Sequence, residues 1–228
     1  MNSFDYEADA HRAMKVILDG GISIIPTTVG YVILAADTNA INKIIFSKQR
    51  GPTKLNAMIG NKSLHAALHN LPSLSRRAVR MITEEYDLPM GTVGPANLNH
   101  PMLQNLDKTV LERTTLDGNI AMLMNAGSLL DIMGQLSFEA NIPVIGSSAN
   151  LSLKGTKFRV EDIESEVRDA ADLIIDYGLM RWSNYGKSST MINVLDFSVV
   201  RYGSCFDLIS DLLTRHFKIT LTPETDHL

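Results

Sequence analysis

The sequence predicts an α/β fold in which one sheet is covered by helices, and three observations predict it. Short β-branched runs alternate along the chain with segments of helical period, the pattern that lays helices on a sheet. Small, polar or charged loops follow directly on several apolar runs, and loops at strand ends are where such sheets hold ligands. The 228 residues, 45% hydrophobic and 20% charged, are also enough for one large domain with its own core. Residues 1–217 read as that domain and 218–228 as a frayed tail.

In order, Ala10, Met14, Ile17 and Leu18 share one helical face, and Gly20-Gly21 ends that helix. Ile22 to Ile25 reads as a buried strand broken by Pro26, and Tyr31 to Ala36 is a second apolar run. Ile41, Ile44 and Ile45 mark a helix, and the loop 47–54 behind it has three basic residues in eight. Leu55 to Ile59 resembles a strand; Leu64 to His69 and Ser73 to Tyr86 are helices, with Pro72 and Pro89 as punctuation. From Met90 to Leu116 Asn, Pro and Gly recur and periodicity is weak, so loop with short elements is expected. Ile120 to Met124 is a short apolar run, and Leu129 to Ala140 a helix. Pro143 to Gly146 leads into Ser147-Ser148-Ala149-Asn150. A helix over Val160 to Ala170 comes next, then strands at Leu173 to Ile175, Met191 to Leu195 and Ser198 to Arg201. A helix over Phe206 to His216 closes the fold.

Composition excludes several classes. A net charge of −4 makes no demand for a nucleic-acid partner. Cys205 is the only cysteine, so no intramolecular disulfide forms, and it reads as a small buried apolar residue. The acidic N-terminus does not read as a secretory signal, and no run reaches the roughly 20 apolar residues of a membrane helix. The expectation is a soluble, cytoplasmic protein. His65 and His69 stand at helical i, i+4 spacing, but no third ligand is near in sequence, so they read as two surface histidines. There is no Gly-x-Ser-x-Gly, no Walker-type loop, and no identifiable base for Ser147 or Ser148 as a nucleophile.

Three loops carry the candidate chemistry: Pro26-Thr27-Thr28, then Lys48-Gln49-Arg50 with Lys54 beyond, and Ser147 to Asn150. A polyphosphate needs fixed cations together with hydroxyl or amide donors; Arg offers a rigid fork and Lys a mobile point charge. Their order and spacing resemble the Sua5/YrdC/YciO family, whose loops read approximately P-T-[DE]-T-x-Y-G-L, K-x-R-P-x-x-[KN]-P-L and T-S-A-N-x-S-G. Pro26, Thr27 and Tyr31 match the first loop, Lys48, Arg50 and Lys54 the second, and Ser148, Ala149, Asn150 and Ser152 the third. Asp172 to Asp176, Ser189-Thr190 and Arg201-Tyr202-Gly203 resemble later segments of the same family, and the likeness covers about residues 10 to 205.

The resemblance implies a twisted mixed sheet covered by helices, YrdC-like. Enzymes of that family make L-threonylcarbamoyl-AMP from threonine, bicarbonate and ATP, with Mg²⁺ as the companion of ATP, for the t6A modification of tRNA. It therefore implies a threonylcarbamoyl-AMP synthase-like nucleotidyltransferase acting on ATP and a small amino-acid-like substrate, with tRNA or RNA as a further partner. Carried over by motif, Lys48 and Arg50 would bind the phosphates and serve catalysis, with Ser148, Asn150 and Arg201 completing the nucleotide site. Thr27, Tyr31, Lys54, Ser189 and Thr190 would line the substrate pocket, and no protein metal site is implied. The alternatives are a non-catalytic nucleotide- or RNA-binding paralogue and an interaction subunit with a vestigial pocket. The chain departs from the pattern at Val29, Val32, Gly51 and Leu153. Two departures weigh more: Gly60-Asn61 stand where the enzymes have His, and Leu123 where a strand A-V-R-x-P carries Arg.

Overall fold

The computed structural model describes residues 4–49 and 56–221; among them a ten-stranded mixed sheet is flanked by helices. Helix α1 (Tyr6–Leu18) starts at Asp5, whose carboxylate accepts the Ala8 N–H at 3.0 Å, and Glu7 and Asp9 favour the positive end of its dipole. Strands β1 (Ser23–Thr27) and β2 (Gly30–Ala35) form an antiparallel hairpin in which every residue is buried. Pro26 is tolerated inside β1 because its partner Tyr31 sends its own N–H to the Lys157 carbonyl, so no ladder bond is lost there.

Helix α2 (Thr38–Ser47) is capped by Asp37, and Asn61 caps α3 (Lys62–Leu68) after strand β3 (Ala57–Gly60). Helix α4 (Ser73–Arg80) runs on into a π turn at Met81–Glu85. Strand β4 (Met90–Pro95) is followed by two short helices, α5 (Pro101–Gln104) and α6 (Lys108–Glu112). The hairpin of β5 (Thr115–Leu116) and β6 (Asn119–Met124) then leads to α7 (Ser128–Ala140), which packs along α1. The remaining elements are β7 (Ile145–Ser148), α8 (Ser165–Arg168), β8 (Leu173–Ile174), β9 (Met191–Asn193), β10 (Val199–Arg201) and α9 (Phe206–Phe217). The strands lie in the order β10-β9-β4-β6-β3-β7-β2-β1-β8, with β5 added onto β6.

Three expectations need correcting. Met90 to Pro95, expected within a loop region, is an interior strand paired with β6 over six residues and with β9 over three. Its glycines mark close packing rather than turns: a Cβ on Gly94 would lie 3.1–3.2 Å from Val194, His69 and Leu71. The helix expected over Val160 to Ala170 is a 3₁₀ turn at Val160–Asp162 and the four-residue α8. Glu164 interrupts it, accepting the Leu151 N–H at 3.0 Å and pairing with Lys157 at 2.8 Å. The tail is tied down through residue 221: the Ile219 N–H reaches the Leu213 carbonyl at 3.2 Å and Leu221 is buried.

Candidate functional site

A groove of about 510 Å³ crosses the sheet from β2 to β10, a volume typical of small-molecule sites. Strand alternation builds it. Along β6, Asn119, Ala121 and Leu123 are half-buried and line the groove, whereas Ile120, Met122 and Met124 turn into the core. The same period brings in Val32 and Leu34 from β2, Gly91 and Val93 from β4, and Met191 and Asn193 from β9. Ser147 and Ser148 line it from β7, and Arg201 closes it on β10.

At the β7 end two distant loops meet. Lys48, at the C-cap of α2, is 1% exposed. Its ammonium donates to the carbonyls of Ser148 and, at 2.7 Å, of Asn150, while the Lys48 carbonyl accepts the Ser152 N–H at 3.0 Å. A buried ammonium needs such acceptors, and here they are backbone oxygens of the Ser-Ala-Asn segment. Asn150 is buried beneath this corner; its Nδ2 donates to the Leu151 carbonyl, and its Oδ1 finds no partner among the described residues. Leu153, where the family pattern has Gly, keeps a left-handed φ of 68° and is exposed. Arg50 and Lys54 lie outside the described residues; Asn56, immediately beyond them, lines the groove.

At the β10 end, the Arg201 guanidinium donates to the Ser189 carbonyl from Nε at 3.1 Å and from Nη2 at 2.9 Å, and to the Ser189 and Ser188 hydroxyls at 3.1 and 3.3 Å. Ser189 lines the groove, but Thr190 turns away, donating its hydroxyl to the Ser204 carbonyl at 2.8 Å. Among the described residues lining the groove, Arg201 is the one base and Asp117 the one acid.

Thr27 and Tyr31, assigned to the substrate pocket by motif, do not reach this groove. Tyr31 is fully buried on the other side of β2 from Val32 and Leu34. Its hydroxyl donates to Asp176 at 2.9 Å and accepts the Tyr177 N–H at 3.1 Å. Burial, and then the Asp176 carboxylate, raise its pKa above the usual phenol value. Thr27 hydrogen-bonds across its own turn to the Gly30 carbonyl at 2.5 Å and lines a second cavity of about 470 Å³, beside Trp182 and the start of α7.

The two histidines are corrected as well. His65 and His69 are buried, not surface residues, with ring centroids 4.8 Å apart. Burial holds both neutral, pushing His65 down to about 3 and His69 to about 4. Among the described residues no group of three potential ligands gathers to hold a metal. Cys205 is buried, as expected, and burial raises its thiol to about 11. No helix among the described residues is long and apolar enough to cross a membrane.

Sequence reasoning named Ser148, Ser189 and Arg201 at the groove, with Ser147 in the same candidate loop, but missed Ser188, Met191 and Asn193. The signal was present for part of this: period-2 alternation places Val32 and Leu34 opposite Tyr31.

The model of the Sua5/YciO/YrdC family, described as telomere recombination, matches residues 15–203. No curated protein matches the sequence. Among solved structures, the hypothetical protein smu.1377c from Streptococcus mutans UA159 is 18% identical with a TM-score of 0.73, the alignment covering 92% of each chain. The Sua5 of P. abyssi complexed with L-threonine is 19% identical with a TM-score of 0.73; the match covers 97% of this chain but spans only 61% of that one. YciO of E. coli is 18% identical with a TM-score of 0.65, over 89% of this chain and 92% of that one. At these identities the structural likeness establishes the fold.

Proposed function

The chain belongs to the Sua5/YciO/YrdC family, and from that premise we propose that its groove binds ATP and forms an acyl-adenylate, most simply L-threonylcarbamoyl-AMP for the t6A modification of tRNA. One observation carries the reading: Lys48 joins the loop after α2 to the Ser148–Asn150 segment at one end of a ligand-sized groove, with Arg201 at the other. Phosphates would lie at the β7 end, where Ser148 shares the groove face of the sheet with Val32. Lys48, buried beneath, fixes that segment through its carbonyls, Asn150 stiffens it from below, and Arg50 is by motif the proposed phosphate cation. The half-buried apolar wall between the ends suits the faces of an adenine or an acyl group.

The reaction asks for positioning rather than a protein nucleophile. The amino-acid nitrogen adds to the carbon of bicarbonate with loss of water, giving a carbamate. A carbamate oxygen then attacks the α-phosphorus of ATP, the bond to the β-phosphate oxygen breaks, and pyrophosphate leaves. The groove offers a metal one described carboxylate, Asp117, so Mg²⁺ fits here as a companion of the phosphate oxygens rather than as an ion in a protein cage. A second reading, a non-catalytic nucleotide- or RNA-binding paralogue, draws support from Leu123 and Gly60, which stand where the family's enzymes carry Arg and His.

Pyrophosphate release with ATP, bicarbonate and a panel of amino acids separates the two. The enzyme reading expects release that falls at least tenfold in both Lys48→Ala and Arg50→Ala. ATP binding without release supports the paralogue, and release unchanged in both variants moves the site elsewhere.

A further inference from the structure

The strand register draws one line of residues across the groove. Ile59 pairs with Leu123, Leu123 with Gly91, Gly91 with Met191, and Met191 with Arg201. Gly91 has no side chain of its own, and Met191 leans over it: a Cβ there would meet three Met191 side-chain carbons at 3.1–3.2 Å. The line therefore presents hydrocarbon and thioether from Ile59 as far as the guanidinium of Arg201. Leu123 and Met191 are both half-buried, so part of each stays open to a ligand.

Resting on the nucleotide reading above, we infer that the amino acid accepted by this groove is aliphatic, with its side chain on Leu123 and Met191 and its carboxylate at Arg201. Arg201 supplies the charge that a carboxylate needs; its Nε and Nη2 are engaged by Ser188 and Ser189, so the carboxylate would meet Nη1. No acid stands beside the line to hold an ammonium group: the one acidic residue described in the groove, Asp117, precedes the start of β6. Leu123 is four residues from Asn119 along β6, about 13 Å of extended strand. An amine converted by bicarbonate to a carbamate, an anion whose nitrogen carries no positive charge, needs no such acid. A side-chain hydroxyl, such as that of threonine, would lose water against Leu123 and Met191 and gain no hydrogen bond from them. Leu123 in place of the family's Arg, and the flexible thioether beside it, thus form an apolar, adaptable seat for the side chain.

The test uses the full chain. ATP binding is measured first by calorimetry, then pyrophosphate release and thermal shift at saturating ATP and bicarbonate with leucine, isoleucine, valine and threonine. Leucine or isoleucine is expected to exceed threonine about 10- to 100-fold in kcat/KM, the discrimination an apolar pocket gives for one or two methyl groups. The near-isosteric Leu123→Asn and Met191→Gln are expected to cut that leucine-to-threonine ratio at least tenfold, a ratio being insensitive to any common loss of turnover. Threonine equal to or better than leucine overturns the inference and leaves nucleotide binding standing, as does ATP binding with no response to any amino acid. An unchanged ratio in both folded variants also overturns it; if either variant fails to fold, the wild-type ratio decides. Absence of ATP binding brings down the nucleotide reading and this inference with it.

Discussion

Two glycines line the same groove in opposite surroundings. A Cβ on Gly146, in β7, would lie 2.0 Å from the Ile33 carbonyl oxygen, whereas one on Gly91, in β4, would meet only the side chain of Met191 at 3.1–3.2 Å. At the β7 end, then, backbone packs on backbone, and the Lys48 ammonium fastens the corner through two carbonyls. Between β3 and β9 the wall is made of side chains, two of them the pliable Leu123 and Met191. The difference teaches how one groove can hold a constant ligand part and a variable one. A rigid polar corner suits phosphates, whose geometry does not change, and a deformable apolar wall suits a group that differs between substrates.

Substitutions can break this contrast. Gly146→Ala is expected to destabilise the fold by about 3 kcal/mol, because a backbone oxygen cannot step aside. Denaturant unfolding checks it, and a cost below about 1 kcal/mol would show the corner to be soft. Lys48→Met keeps the buried stem but takes the ammonium from the Asn150 carbonyl and from the Ser148 carbonyl, which keeps the Asn150 N–H at 3.0 Å, at about 2 kcal/mol in the same assay.

The third prediction concerns the packing around β4. His65 and His69 lie buried there, with the His69 Nε2 3.5 Å from the Thr92 hydroxyl. Their folded pKa values, about 3 and about 4, lie below the ordinary 6.5, so the unfolded chain binds more protons between those limits. Their contribution to stability is complete above pH 6.5 and is lost as pH falls toward 4, at about 1 kcal/mol per histidine by pH 5.5. Unfolding at pH 7.5 and 5.5 should show that loss in the wild type and a clearly smaller one in a His65→Leu, His69→Leu double variant; equal losses would remove the histidines as the cause.

Smaller again, Tyr31→Phe removes a hydroxyl bonded to Asp176 and should lower stability by about 1 kcal/mol while leaving ATP affinity unchanged. A change in affinity would return Tyr31 to the ligand site. Last, Gly91→Ala should cost about 1 kcal/mol, since the Met191 Cγ and Cε can rotate away and its Cβ, at 3.2 Å, need give only a few tenths of an ångström; a larger loss would mean that the wall is as stiff as the corner.

The sequence made the α/β class legible because its apolar runs are long enough to show their period, as in α1, β2 and α9. It hid β4, whose two glycines and proline imitate a turn while actually making room for Met191, Val194 and His69. It suggested a helix at Val160 to Ala170 because Val160, Ile163 and Val167 have helical spacing; Ile163 and Val167 are buried from separate turns held by Glu164. For the site, motif order brought Lys48 and the Ser148–Asn150 segment to notice, but not that the lysine would meet backbone oxygens rather than side chains. Tyr31 shows why a motif is not a pocket: strand alternation sends it away from the groove that its neighbour Val32 lines. The wall itself was unreadable, because it depends on which strands are neighbours, a fact fixed by long-range pairing.

A nucleotide titration followed on methionine methyl groups by NMR tests the central claim most directly, since Met191 lines the groove and Met180 the second cavity. On addition of ATP the account predicts a saturable shift of the Met191 methyl, with Met180 unmoved. A shift at Met180 alone, or at neither, would contradict it.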